Sequence, residues 1–280
     1  MKQRVIFSDL DGTLLDATTY SFDPALPALH AIRNLNIPLI FSSSKTRTEI
    51  EFYREQTGNR HPFIAENGGG IFVPKGYFDF PLAVPGHAVQ GEDDYEVIVL
   101  GAVYSEIRKA VSALRTEGFP IRGFGDMSAG EVAGLTGLSL PEAEMAKKRS
   151  FDEPFVFEGA EPDIPRLLAA ILAKGFRYTR GAFYHILGDS DKGRAVSILN
   201  DLYRKAFGSI VTIGLGDSPN DIPMLEQVDC PVLIRKPSGE YAGGIRLSNL
   251  IQTEGTGPAG WNNAVLSLLR SQISRCLRGQ

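Results

Sequence analysis

The sequence predicts an α/β protein, with a Rossmann-like parallel-sheet core, helices on both faces and an inserted α+β cap domain. Short apolar runs alternate with amphipathic segments at both ends of the chain, which is the pattern of βαβ units. Each apolar run leads into a polar loop, as expected of strands that end at a ligand site. The alternation is interrupted in the middle of the chain, where a second domain is expected.

The first segment supplies three strands and two helices. Residues 5–7, 38–41 and 63–65 are apolar runs typical of buried strands, and residues 24–35 and 46–56 have helical spacing. Thr46 or Thr48 is a suitable N-cap for the second helix.

The middle segment has α+β composition. Pro81, Pro85, Gly86 and the acidic run at 92–94 indicate a connector. The elements predicted beyond it are strands at 97–100, from 120, at 155–157, 176–178 and 183–187, and helices at 105–116, 128–135, 141–149 and 164–173. We therefore assign residues 85–188 to the cap.

The last segment returns to the first pattern. The predicted elements are helices at 192–206, 221–228 and 261–269, and strands at 210–213 and 232–234. Residues 1–84 and 189–280 are accordingly assigned to one catalytic core.

The composition excludes several classes of protein. Of 280 residues, 43% are hydrophobic, the formal net charge is -4 and the sequence pI is about 5.7. This charge gives no general attraction to nucleic acid or to an anionic membrane. Two cysteines show no metal-ligand spacing, and no apolar run approaches the ~20 residues that span a bilayer. We expect a cytoplasmic protein with no nucleic-acid or membrane partner; the oligomeric state is not indicated.

Two carboxylates follow the first strand in the segment Asp9-Leu10-Asp11-Gly12-Thr13. Asp9 can attack phosphorus as a nucleophile, which divides the hydrolysis of a phosphate ester into two displacements. Asp11 can protonate the leaving oxygen and then deprotonate water. A pair of aspartates that caps a helix is the structural alternative.

A second group of carboxylates follows the strand at 210–213. Mg²⁺ prefers oxygen ligands, so Asp9, the backbone carbonyl of Asp11 and Asp217 can hold this ion. Asp221 and Asn220 follow within one turn, where they can orient the ligands or cap the next helix.

Two further side chains suit a phosphate group. Lys192 begins a predicted helix and can neutralise charge on phosphate, although a single lysine is more often a solvated charge. Ser43, within three consecutive serines, can bind phosphate together with nearby amides.

Together these segments resemble the four motifs of the haloacid dehalogenase superfamily, in the same order. The resemblance implies that Asp9 is the nucleophile, Asp11 the acid and base, Ser43 and Lys192 phosphate ligands, and that Mg²⁺ is the cofactor. The insertion after the second motif is similar to the cap of the sugar-phosphatase branch.

A narrower resemblance, to the mannosyl-3-phosphoglycerate phosphatases, covers nearly the whole chain. It is carried by residues 43–47, 66–69, 148–149, 151–154 and 214–224. It implies a phosphorylated sugar-glycerate substrate and a product used as a compatible solute. The residues expected to contact the substrate are Lys45, Glu66, Asn67, Gly68, Arg149, Arg180 and His185. Surface ion pairs and a simple Asn67-Gly68 turn are the alternatives.

Other functions are compatible with the same motifs. A glucosyl-3-phosphoglycerate phosphatase or a general sugar phosphatase needs the same core residues. A phosphosugar mutase has the same nucleophile but returns the phosphoryl group to a sugar. A non-enzymatic sugar-phosphate sensor is disfavoured because all four motif positions are occupied.

Overall fold

The computed structural model describes residues 2–270, which form two sheets and their helices. The strands are β1 (Gln3–Ser8), β2 (Leu39–Ser42), β3 (Phe63–Ala65), β4 (Gly70–Pro74), β5 (Ala88–Glu92), β6 (Tyr95–Val99), β7 (Ile121–Gly123), β8 (Asp152–Phe157), β9 (Arg177–Arg180), β10 (Tyr184–Leu187), β11 (Ile210–Gly216), β12 (Cys230–Arg235) and β13 (Ile251–Thr256). The α-helices are α1 (Leu26–Asn34), α2 (Arg47–Thr57), α3 (Tyr104–Thr116), α4 (Ala129–Thr136), α5 (Leu140–Ala146), α6 (Ile164–Ala173), α7 (Lys192–Phe207), α8 (Ile222–Leu225) and α9 (Gly257–Arg270).

The larger sheet has nine strands in the order β13-β12-β11-β1-β2-β3-β4-β6-β5. The strands from β13 to β3 are parallel to one another, whereas β4, β6 and β5 are added as antiparallel neighbours. In the central register, Ser8 lies beside Leu215 of β11 and Phe41 of β2. The carboxyl ends of β1, β2 and β11 therefore meet at one edge, where the polar loops were predicted to converge.

Helices cover both faces of this sheet, which confirms the predicted fold class. On one face α1, α2 and α9 bury residues such as Leu29, Tyr53 and Trp261. On the other face α7 and α8 bury residues such as Leu199 and Met224. The N-cap of α2 is Thr46, whose side chain accepts the amide of Glu49 in a capping box.

The smaller sheet, in the order β7-β8-β10-β9, is antiparallel. Helices α3 and α6 cover one face of this sheet, where Val111 of α3 and Ile171 of α6 share a hydrophobic cluster with Phe155 of β8. A separate cluster that includes Phe124 and Val132 lies against the other face, through Val156. This α+β unit is the predicted cap.

The start of the insertion differs from the prediction. Residues 88–92 and 95–99 were assigned to the cap, and residues 92–94 to a connector, but β5 and β6 form a hairpin that extends the large sheet. Its outer strand is mostly exposed, so its sequence lacks the apolar run of a buried strand. Strands β4 and β13 were also missed. Strand β4 begins at the last of three consecutive glycines and has only three large apolar residues, and β13 consists mostly of small or polar residues.

We infer that the chain crosses between the two domains near Gly101 and Gly188. A Cβ on Gly188 would lie 2.2 Å from the backbone nitrogen of Ala102. The two crossing segments therefore approach so closely that only glycine fits at position 188.

Two expectations concern other parts of the chain. Across residues 2–270, no helix is both long enough and apolar enough to cross a bilayer. Residues 271–280, which the sequence assigns to the core, lie outside the described residues.

Candidate active site at the strand ends

Asp9, Lys192, Asp217 and Asp221 form the strand-end cluster. Asp9 follows β1, Asp217 follows β11, and Lys192 is the first residue of α7. The Lys192 ammonium nitrogen lies 2.6 Å from Asp9 Oδ1 and 2.6 Å from Asp221 Oδ1. Because the Lys192 side chain is fully buried, this lysine is not a solvated surface charge.

The loop around Gly12 brings β1 and β11 close together. Thr13 Oγ1 donates a hydrogen bond to Asp217 Oδ1 at 3.2 Å. Gly12 has φ +73, and a Cβ there would lie 2.9 Å from Asp217 Oδ2. A larger residue would therefore collide with a carboxylate of the strand-end cluster.

Asp221 is held by the loop that contains Asp217. Its Oδ2 accepts the backbone amides of Asp217 and Ser218 at 3.0 and 3.1 Å, while Oδ1 accepts Lys192. Oxygens of Asp9, Asp217 and Asp221 all lie within 4.8 Å of one another. These three carboxylates are a suitable donor set for a divalent cation.

The strand-end cluster has more negative than positive charge. Burial and the neighbouring Asp221 raise the pKa of Asp9 well above its usual value, against the opposing effect of Lys192. The same causes raise the pKa of Asp217 to about 7. Burial lowers the pKa of Lys192, but Asp221 and Asp9 outweigh it and raise the pKa overall. Three carboxylates facing one ammonium fit a cation such as Mg²⁺, which would supply the missing positive charge.

Asp11 lies on the cavity side and pairs with Lys45 rather than with the strand-end cluster. Lys45 Nζ is 3.0 Å from Asp11 Oδ1 and 3.5 Å from Glu49 Oε1, and lies over the Tyr20 ring at 5.0 Å. Burial lowers the pKa of Lys45, but Asp11 and Glu49 more than compensate and raise it. The acid and base candidate therefore has its own ammonium partner.

The three serines after β2 have different surroundings. Ser43 is fully buried, and its Oγ accepts the Lys45 amide at 3.2 Å. Ser44, not Ser43, borders the cavity described next. The geometry thus gives Ser43 a role in shaping the loop, and its role as a phosphate ligand stays a prediction.

A cavity of about 700 Å³ lies between the core and the cap. Asp9, Asp11, Asp217 and Lys45 border it on the core side. On the cap side it is bordered by Arg149 and His185 and by an apolar wall made of Phe124, Leu135, Leu138 and Phe183. A pocket that combines a few polar groups with an apolar wall is typical of a small-molecule site.

A buried group of polar side chains, Glu66, Asn67, Arg149, Asp152 and His185, connects the two domains and is named the junction network. Asp152 Oδ2 accepts Asn67 Nδ2 at 2.9 Å and lies 2.8 Å from His185 Nδ1. Asn67 Oδ1 accepts the side-chain amide of Asn220 at 3.1 Å. Asn67 and Asn220 thus connect the cap to the loop of the strand-end cluster.

Two predicted substrate contacts are structural instead. The Glu66 carboxylate accepts the backbone amides of Ser150, Phe151 and Asp152 at 2.7–3.0 Å. It is 1% exposed and does not border the cavity. Gly68 has φ +90, and a Cβ there would lie 2.1 Å from the Asp191 carbonyl oxygen. Both residues join the core to neighbouring segments, so neither is available to a sugar hydroxyl.

The two predicted arginine ligands are separated. Arg149 borders the cavity and donates from Nη1 to the Ser44 carbonyl at 2.7 Å and to Asp152 Oδ1 at 2.9 Å. Arg180 is exposed on β9, does not border the cavity, and stacks on the Tyr184 ring at 4.8 Å. The cavity thus gives no support to Arg180 as a substrate ligand, and that role stays a prediction.

Sequence reasoning missed Asp152, Glu49 and Tyr20. Asp152 is 0% exposed, which is rare for a carboxylate unless it is paired. Asp152 lies in the segment 151–154, which carries part of the narrower resemblance, but no role could be assigned to it from the sequence. Arg149 is the only one of its side-chain partners within one helical turn along the chain. Its other partners come from distant segments, so the sequence carried no signal for them.

Comparison with known proteins identifies the family. Residues 6–78 match the model of the haloacid dehalogenase-like hydrolases. A curated glucosyl-3-phosphoglycerate/mannosyl-3-phosphoglycerate phosphatase of Methanococcoides burtonii is 46% identical over 95% of this chain and 97% of its own length. This chain belongs to the haloacid dehalogenase-like phosphatases. Both resemblances found in the sequence are thereby confirmed.

Two other proteins extend the comparison. A curated phosphatase of Persephonella marina with the same double name is 42% identical over 97% of this chain and 98% of its own length. A crystal structure of a Thermoplasma acidophilum protein matches with a TM-score of 0.68, over 96% of this chain and 99% of that one, at 16% identity. At 16% identity, the similarity to the Thermoplasma acidophilum structure supports the fold alone.

Proposed function

We propose that this protein is a Mg²⁺-dependent phosphatase that hydrolyses mannosyl-3-phosphoglycerate and its glucosyl analogue. The observation that carries the substrate assignment is the 46% identity, over nearly the full chain, to a phosphatase named for both compounds. The strand-end cluster supports the chemistry, because Asp9 and Asp217 border the cavity and the buried Lys192 ammonium lies 2.6 Å from Asp9. The products are the mannosyl- or glucosylglycerate and inorganic phosphate.

The first step forms an aspartyl-phosphate. A carboxylate oxygen of Asp9 attacks phosphorus, and the bond from phosphorus to the glycerate oxygen breaks. Asp11, which borders the cavity, donates its proton to the departing oxygen, so the sugar-glycerate leaves as an alcohol. Lys192, fixed between Asp9 and Asp221, orients the nucleophile and neutralises charge on the transferred group.

The second step restores the enzyme. The Asp11 carboxylate accepts a proton from water as the water oxygen attacks phosphorus. The bond between phosphorus and Asp9 breaks, which releases inorganic phosphate and the free Asp9 carboxylate. The proton taken up by Asp11 is the one it gives to the next leaving oxygen.

Asp9 and Asp217 are the side chains that would hold Mg²⁺, with Asp221 orienting them through the amides of Asp217 and Ser218. A role for the backbone carbonyl of Asp11 remains the prediction made above. When bound, Mg²⁺ supplies positive charge for the phosphate oxygens and for the carboxylates that face one another.

The cap provides the rest of the substrate site. Thr46 Oγ1 donates to the Met145 carbonyl at 3.0 Å, so helix α5 rests on the start of α2 and covers the cavity. The apolar wall of the cap suits the less polar face of a sugar ring. A closed cap keeps bulk water from the reacting group.

Phosphate release from mannosyl-3-phosphoglycerate, glucosyl-3-phosphoglycerate and hexose phosphates tests the proposal, with Mg²⁺ or EDTA and with Asp9→Asn. We expect release from the first two substrates that is lost in EDTA and in the variant. Phosphate release from hexose phosphates alone would support the proposed phosphatase mechanism but reject the proposed glycosyl-3-phosphoglycerate substrates. An isomerised sugar phosphate without phosphate release would identify a mutase, and a folded protein inactive on every substrate would leave a sensor.

A further inference from the structure

Asp152 is a buried anion that fixes several side chains at the cavity. It is 0% exposed, with Oδ1 bound to Arg149 and Oδ2 bound to His185 and Asn67. Burial raises the pKa of Asp152, but Arg149 and His185 outweigh it and lower the pKa overall. A carboxylate with this many donors stays ionised and holds its partners in one geometry.

Arg149 has donors that the protein does not use. Its Nε donates to the Ala146 carbonyl at 2.9 Å, and Nη1 serves Ser44 and Asp152. Within residues 2–270 no acceptor lies at hydrogen-bond distance from Nη2, and the side chain borders the cavity. An Arg group that is already immobilised loses little entropy when its remaining N–H groups bind an anion.

His185 adds a second polar atom from the facing strand of the cap. Its Nδ1 is turned to Asp152, and within the described part of the chain Nε2 has no hydrogen-bond partner. His185 is 5% exposed and borders the same cavity as Arg149. The two side chains share Asp152, so their positions are coupled.

Arg149 lies near the loop that follows β2. Arg149 binds the carbonyl of Ser44, in the loop that follows β2, so it lies beside the end of the site where phosphate is proposed to bind. In 3-phosphoglycerate, one carbon separates the phosphorylated carbon from the carboxylate. Two other cations border the cavity. Lys45 is already paired with two carboxylates, and the charge of Lys236 lowers the pKa of Asp217.

We propose that Arg149 and His185 bind the carboxylate of the glycerate half of the substrate, and that Asp152 is the positioning residue that holds both. The proposal rests on the proposed function and adds the group by which this site selects glycerate phosphates. Arg149 donates to the carboxylate from Nη2. His185 donates from Nε2–H as the imidazolium, because its Nδ1–H is directed to Asp152. Asp152 does not touch the substrate.

Binding of two ligands that differ only in this carboxylate tests the proposal without turnover. Calorimetry with the Asp9→Asn protein in Mg²⁺ compares 3-phospho-D-glycerate with sn-glycerol 3-phosphate. We expect the first ligand to bind roughly 10- to 100-fold more tightly, as for a charged hydrogen bond. Arg149→Lys and Asp152→Asn in the same background should reduce that ratio toward one. Equal affinities in the Asp9→Asn protein, or a ratio that neither variant changes, would overturn the proposal.

Two controls show whether a lost preference for the carboxylate reflects recognition and not misfolding. A further outcome distinguishes the carboxylate site from the proposed function. Arg180→Ala removes an exposed arginine of the same cap and should leave the ratio unchanged. Circular dichroism spectra and melting temperatures of Arg149→Lys and Asp152→Asn, compared with those of the Asp9→Asn parent, show whether each variant is folded. A ratio that depends on Arg149, in a protein that hydrolyses no glycosyl phosphoglycerate, would uphold the carboxylate site and reject the proposed function.

Discussion

The strand-end cluster and the junction network are both buried and both charged, yet their charge balance differs. In the strand-end cluster, three carboxylates share one lysine, and the pKa of Asp9 and of Asp217 is raised by burial and by Asp221. In the junction network, Asp152 has Arg149, His185 and Asn67 as partners, and its pKa is lowered. The first region lacks positive charge that a cation can supply, whereas the second is nearly complete within the protein. The region with unbalanced charge is the one where we propose that the reaction takes place, and the region with nearly balanced charge is the one that we propose holds the side chains around the substrate in position.

The strongest test of this difference removes the single cation of the strand-end cluster. Lys192→Met should lower kcat/KM by about 10³-fold, because two carboxylates then face the transferred phosphoryl group without compensation. Phosphate release under Mg²⁺ measures the effect. Lys205→Met, on the exposed last turn of the same helix, is the matched control and should retain activity. Similar losses in both variants would point to a damaged helix instead of a lost charge.

The same contrast explains what could be predicted from the sequence. The strand-end cluster comes from three short segments, each placed directly after a strand or at a helix start, so local patterns located Asp9, Asp217, Asp221 and Lys192. The junction network depends on pairs such as Asn67 with Asp152 and Asp152 with His185, which are 85 and 33 residues apart. No local pattern specifies such pairs. Glu66 was consequently expected at the sugar, although it binds backbone amides of the cap.

A divalent cation bound at the strand-end cluster should stabilise the folded protein. Mg²⁺ at about 100 times its dissociation constant should raise the free energy of unfolding by about 2.7 kcal/mol. Asp217→Asn removes one of the three carboxylates and should abolish most of this increase, whereas Asp152→Asn should preserve it. Urea denaturation with and without Mg²⁺ measures both. Equal stabilisation of wild type and Asp217→Asn would place the ion elsewhere.

The junction network should show its own dependence on pH through Glu66. Burial and Asp152 raise the pKa of Glu66 to about 8, against the lowering effects of Arg149 and the backbone amides of Phe151 and Asp152. Because the folded-state pKa lies above the unfolded value, the contribution of Glu66 to stability is complete below about pH 4.5 and is lost as the pH rises through about 8.

Urea denaturation across this pH range compares wild type with Glu66→Gln, which cannot titrate. Relative to the variant, wild type should lose up to about 1.4 kcal/mol of unfolding free energy for each pH unit. Glu144→Gln replaces an exposed glutamate and should follow wild type. Parallel curves for wild type and Glu66→Gln would show that Glu66 keeps its charge in the folded protein.

Lys45 shares features of both regions: it is buried and paired within the protein, as in the junction network, but it contacts Asp11, the acid and base candidate. Its ammonium is 3.0 Å from Asp11 and 3.5 Å from Glu49. Glu49 in turn accepts the backbone amide of Thr46 at 2.9 Å, and the Thr46 hydroxyl donates to the Met145 carbonyl of the cap. Lys45 therefore stabilises the carboxylate that remains after Asp11 has given up its proton, and it does so where the cap rests on the core.

Lys45→Met should consequently lower kcat for p-nitrophenyl phosphate by up to about tenfold, with a smaller change in KM. This loss is smaller than the roughly 10²–10⁴-fold contribution of acid–base catalysis, because the variant retains Asp11 itself. Steady-state kinetics at saturating Mg²⁺ measure both constants, and Lys148→Met, at an exposed lysine of the cap, serves as the control. A change confined to KM would mean that Lys45 binds the phosphate instead of positioning Asp11. Lys45 would then belong with the strand-end cluster, as a second ammonium that faces the transferred phosphoryl group.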